Sequence, residues 1–85
     1  MLELFHSTTD GGESAPVRGF IVERGLTSII RFRNVTYEEV TADFKARGGT
    51  RTPAVWDGER LTEGREAVLR LLAALPVPAP LPEAE

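Results

Sequence analysis

An α/β fold, a four-stranded mixed sheet with helices on both faces, is what this sequence predicts. Three observations carry that expectation. Short apolar runs alternate with amphipathic stretches in the order β-α-β-α-β-β-α. Glycines and prolines punctuate the boundaries. An Asp57-Gly58 pair separates the last two strands as a hairpin signal and so makes them antiparallel.

The elements follow in order. Met1 to Phe5 is a short apolar strand, and His6 to Ser14, rich in Ser, Thr, Asp and Gly, is a loop. Val17, Phe20 and Ile21 form one stripe of a helix over Ser14 to Arg24. Ser14 suits its N-cap, Pro16 is tolerated only in a first turn, and Gly25 suits its end. Thr27 to Val35 reads as the second strand, with Ile30 and Phe32 on one face and Arg31 and Arg33 on the other. The pattern predicts a parallel, right-handed first β-α-β unit. Thr36 and Glu39 have the spacing of a capping box, with Val35 and Val40 as a hydrophobic staple around it. Tyr37, Val40 and Phe44 continue the apolar face of that helix, and Gly48 and Gly49 end it. Ala54 to Trp56 is the third strand and Glu59 to Leu61 the fourth. Thr62 suits the cap of a last helix, whose stripe is Val68, Leu71, Leu72 and Leu75.

Eighty-five residues make one domain. The reading divides them into a folded part, residues 1–75, and a Pro-rich tail, residues 76–85, whose alternating prolines favour an extended chain. With no cysteine there is no disulfide or cysteine–zinc staple, so stability rests on packing, and a homodimer is compatible with so small a core. The net charge of −3, with scattered Lys and Arg, argues against nucleic acid as a partner. No apolar run reaches the length of a membrane span and no signal peptide is visible, so a cytoplasmic location is expected.

Four segments in series carry a family resemblance over roughly residues 1–75. Leu2-Glu3-Leu4-Phe5, a loop and Val17-Arg18-Gly19-Phe20-Ile21-Val22-Glu23-Arg24-Gly25-Leu26 form the first. Phe32-Arg33-Asn34-Val35, Gly49-Thr50-Arg51-Thr52-Pro53-Ala54-Val55-Trp56-Asp57-Gly58 and Glu66-Ala67-Val68-Leu69-Arg70-Leu71-Leu72 form the others. Together they resemble the glutaredoxins and the N-terminal domains of glutathione transferases, which share the thioredoxin-like fold. The resemblance implies that Thr52-Pro53 is the family's cis-proline site, which presents backbone groups to the cysteinyl part of glutathione. It also implies that the start of the last helix receives a ligand carboxylate, as free N–H groups there favour an anion.

The chain departs from the family where the redox chemistry lies. Gly11-Gly12-Glu13-Ser14 stands where the family carries two cysteines separated by two residues, so glycine replaces the nucleophile and no thiol–disulfide exchange is available. At the last helix the family's serine is missing, and either Glu63-Gly64 or Gly64-Arg65 takes the motif's place. The candidate ligand-binding residues are therefore Ser14, Arg51, Thr52, Pro53, Gly64 and Arg65. Arg65 would replace the lost hydrogen bond with a charge-assisted one, and Arg51 would meet the other carboxylate of a bound peptide. Ser14 is read either as an N-cap or as a hydroxyl like the one some transferases use to stabilise a thiolate. His6 has neither a nucleophile nor metal ligands beside it in the pattern, and no catalytic or metal-binding residue is assigned.

The expected function is a redox-inactive glutaredoxin-like domain with no tightly bound cofactor. It binds glutathione, a similar small thiol peptide or a protein segment in the old cleft. The alternative is a protein–protein interaction module with no small ligand. An enzyme using bound glutathione as nucleophile ranks last, because full transferases complete the electrophile site with a helical domain.

Overall fold

The computed structural model describes residues 2–76. Apart from Pro76, the Pro-rich tail lies outside them. Four strands form one mixed sheet in the order β2-β1-β3-β4: β1 (Leu2–His6), β2 (Ile30–Asn34), β3 (Ala54–Trp56) and β4 (Leu61–Glu63). β1 runs parallel to β2, with Leu4 opposite Phe32, and antiparallel to β3, with Leu4 opposite Val55. β3 and β4 are antiparallel. The helices are α1 (Ala15–Glu23), α2 (Glu38–Ala46) and α3 (Arg65–Ala73).

Alternation along the central strand β1 divides the core in two. Leu4 faces α1 and α3, where Val17, Ile21, Val55, Val68 and Leu72 are buried around it. Phe5 faces α2 and packs on Phe44 and Ala54, with its ring 5.0 Å from that of Phe44. This second layer is thin and largely polar at its rim. Glu3 on β1 accepts from Arg33 and Arg47 (both 2.5 Å), and Asp43 pairs with the same two guanidinium groups at 3.1 Å. The Arg47 guanidinium lies over the rings of both Phe5 (5.5 Å) and Trp56 (5.1 Å). Burial opposes ionisation of Glu3, but the hydrogen bonds from Arg47 and Arg33 outweigh it and hold the carboxyl below its ordinary range.

Several local expectations need correction. The capping box is not formed. α2 starts after Tyr37, and the Thr36 hydroxyl bonds Asn34 Oδ1, which also accepts from the Thr36 N–H. An Asx turn has therefore taken the hydroxyl. Val35 and Val40 do join the Phe5 layer, whereas Tyr37 is exposed. β2 begins at Ile30 because Leu26–Ser28 form a 3-10 turn first. Phe32 faces the α1 side but is 38 % exposed on the edge strand, with the ring of His6 against it. The hairpin loop spans four residues, not two: Asp57 donates its N–H to the Arg60 carbonyl and accepts from the N–H groups of Glu59 and Arg60. That longer turn moves the fourth strand on to Leu61–Glu63, which places Thr62 in the strand and Gly64 at the N-cap of α3.

Two glycines with ordinary surroundings in sequence have opposite roles. A Cβ on Gly49 would collide with the Phe44 ring, whereas one on Gly19, in α1, meets nothing within 4 Å. Gly49→Ala is expected to lower stability by about 1–3 kcal/mol through overpacking. Gly19→Ala is expected to raise it by roughly 0.5–1 kcal/mol through helix propensity. Urea titrations of both variants check the opposite signs.

Candidate functional site

The loop between β1 and α1 holds no thiol, and a hydrogen-bonded cluster occupies its base. Asp10 Oδ2 accepts from the Ser14 hydroxyl at 2.5 Å and from the Thr52 hydroxyl at 2.8 Å, while Oδ1 accepts from the Ser14 N–H at 3.3 Å. Ser14 Oγ in turn accepts from the Ser7 N–H at 3.1 Å. Ser14 is fully buried, and these bonds satisfy its hydroxyl. Burial disfavours the Asp10 carboxylate, yet the bonds from Ser14 and Thr52 prevail and hold it below its usual range. Ser14 stands at the N-cap position of α1 but makes no side-chain cap bond, because its hydroxyl is committed to the loop.

Above this cluster opens a cleft of about 440 Å³ between the loop, the segment before β3 and the start of α3. Glu13 lines it from the loop, Arg51 and Thr52 from the segment, and Gly64, Arg65 and Arg70 from α3. The structure thus brings together Arg51, Thr52, Gly64 and Arg65. Ser14 and Pro53 do not line the cleft: both are fully buried behind it. Two of the six expected site residues are therefore support. The Thr52-Pro53 bond is cis, and the Pro53 carbonyl accepts from the Gly64 N–H at 2.9 Å, which joins the segment to the α3 start.

Thr52 has a feature suited to a ligand. Among the described residues, neither its backbone N–H nor its C=O has a hydrogen-bond partner. Its neighbours are occupied differently: the Glu63 carboxylate accepts from the N–H groups of Thr50 (2.7 Å) and Arg51 (2.9 Å). Burial opposes ionisation of Glu63, but these bonds hold its carboxyl low. Glu63 therefore ties down the segment and does not line the cleft, so Gly64-Arg65 is the pair at the site.

Gly64 is demanded by its backbone, and the mobile end of Arg51 sits where a side chain would point. Its φ of +98° lies where side chains are rarely accommodated, and a Cβ there would collide with Arg51 Nη2. With glycine at the N-cap, α3 has no side-chain cap. The first helical N–H groups, those of Arg65, Glu66 and Ala67, thus have no side-chain cap, and the Arg51 guanidinium lies beside Gly64 at this helix start. Arg65 Nε lies 3.3 Å from Glu13 Oε2. The arrangement offers a carboxylate both charge and directed donors, and an extended peptide a strand-like partner. It contains no thiol, and no group of three His, Cys, Asp or Glu suited to a metal occurs among the described residues. No helix among them is long and apolar enough to cross a membrane.

Sequence reasoning missed Asp10 and Glu13 as parts of this site. It also left His6 without a partner. Arg18 Nη1 lies 3.3 Å from His6 Nδ1 and donates to the Ser7 carbonyl at 2.9 Å. A guanidinium only donates, so in this contact Nδ1 is the acceptor. Burial, then the Arg18 charge, pushes the His6 pKa down against the opposing pull of Asp10.

No protein family, curated protein or solved structure matches this chain.

The depressed pKa values fix how stability depends on pH. For His6, Asp10, Glu63 and Glu3 alike, the folded state binds its proton less readily than the unfolded chain. The stability they contribute is present above the unfolded values and is lost as pH falls through the folded ones. The His6 contribution begins to fall below about pH 6.5, those of Glu3 and Glu63 below about pH 4.5 and that of Asp10 below about pH 3.8. Urea midpoints measured from pH 8 to pH 3 are expected to show both phases, and His6→Gln to remove only the first.

Proposed function

We propose that this chain is a glutaredoxin-like domain of thioredoxin fold that lacks thiol chemistry and binds glutathione, or a similar small thiol peptide, in the cleft. The free backbone pair of Thr52, set beside the uncapped start of α3 and the Arg51 guanidinium, is the observation that carries this reading. An extended ligand would donate to and accept from Thr52 as an added strand does. One carboxylate would sit at the N–H groups of Arg65 and Glu66 with Arg65, and Arg51 would take the other. The sheet order β2-β1-β3-β4 supports the family assignment. The absence of cysteine excludes thiol–disulfide exchange by the protein's own side chains.

A second reading is an interaction module of the same fold with no small ligand. The missing serine favours it, since Gly64 has no hydroxyl to hold a carboxylate.

Titration of reduced glutathione into isotope-labelled protein separates the two. Saturable amide shifts at Arg51, Thr52, Gly64 and Arg65, with a dissociation constant below about 1 mM (roughly 4 kcal/mol of binding), are the expected result. Arg51→Ala is expected to weaken binding about fivefold, the ~1 kcal/mol of one net hydrogen bond to a charged group at an exposed site. Absence of shifts at several millimolar would favour the interaction module.

A further inference from the structure

We infer, on the reading of the cleft given above, that Glu13 is a built-in competitor for it: its carboxylate occupies Arg65, and an anionic ligand must displace it. Glu13 and Arg65 both line the cleft, and each side chain of the pair is 48 % exposed. The pair reaches from the loop to the first residue of α3. Glu13 thereby places a negative charge against the guanidinium that an incoming carboxylate needs, beside the start of α3. The charges lining the cleft are Arg51, Arg65 and Arg70 against Glu13 and Glu66, a net of one positive. Neutralising Glu13 both frees Arg65 and doubles that net charge.

The loop can release the carboxylate at little cost. Glu13 follows Gly11 and Gly12, both left-handed (φ +74° and +82°), and a Cβ at either would touch nothing within 4 Å. Asp10 and Ser14 fix the loop on either side, so displacement requires rotation of the Glu13 side chain and leaves the buried cluster in place. An exposed pair of this kind is worth little by itself, so the competition is modest and sensitive to salt.

Glutathione binding measured by amide shifts for the native protein, Glu13→Gln, Arg65→Gln and the double variant tests this. Glu13→Gln is expected to bind roughly two- to fivefold more tightly at low salt, the range of an exposed ion pair, and the gain is expected to shrink as salt is added. In the Arg65→Gln background the same substitution is expected to give a clearly smaller gain, because only the change in net charge remains. Equal or weaker binding by Glu13→Gln would overturn the inference while leaving the cleft assignment standing. An equal gain with and without Arg65 would also overturn it, since charge alone would then account for the effect. Binding by none of the four proteins would remove the cleft assignment and the inference together.

Discussion

The Asp10 carboxylate is the contact on which the cleft side of the molecule depends. The loop after β1 has two left-handed glycines and little apolar surface, so hydrophobic packing alone cannot place it. One oxygen of Asp10 takes both the Ser14 and the Thr52 hydroxyls, and so joins the entry of α1 to the segment before β3. From Thr52 the constraint passes through Pro53, whose carbonyl receives the Gly64 N–H, to the start of α3. Val68 and Leu72 then hold α3 on the sheet from below. One wall of the cleft is thus set by polar bonds and the other by burial.

Charge is used differently on the two sides of the sheet. On the α2 side, Glu3, Arg33, Asp43 and Arg47 close into a ring in which each cation meets two carboxylates, backed by the Phe5 and Trp56 rings. Such a ring extends a thin apolar layer, and both of its guanidinium groups are already paired. At the cleft, among the described residues only Arg65 of the lining arginines is paired with a carboxylate, while Arg51 lies beside Gly64 at the uncapped start of α3. Unmatched positive charge and free backbone donors at one place are what a peptide carboxylate would complement. This contrast supports a binding role for the cleft in a protein whose overall charge is negative.

The sequence carried the element order and most of the core, because apolar periodicity is a local signal. The Val17, Phe20, Ile21 stripe and the Val68, Leu71, Leu72, Leu75 stripe both pack on the Leu4 layer. Helix starts were less legible, since Ser, Thr and Asn compete for the same backbone groups. Asn34 captured Thr36, Asp10 captured Ser14, and a four-residue turn moved the start of α3 from Thr62 to Gly64. Arg51, Thr52, Gly64 and Arg65 were found together through the family resemblance, not through any pattern of their own. The Asp10–Thr52 and Glu13–Arg65 contacts join segments far apart in the chain, and no periodicity or spacing announces such pairs. Asp10 was legible only as a loop-former.

Amide hydrogen exchange of the ligand-free protein, native and Asp10→Ala, tests most directly whether this carboxylate organises the cleft. The account predicts that the Ser7 and Ser14 amides are protected in the native protein and lose that protection in Asp10→Ala, with the β1 and β2 amides unchanged. Rapid exchange of Ser7 and Ser14 in the native protein, or protection that survives the loss of Asp10, would contradict it.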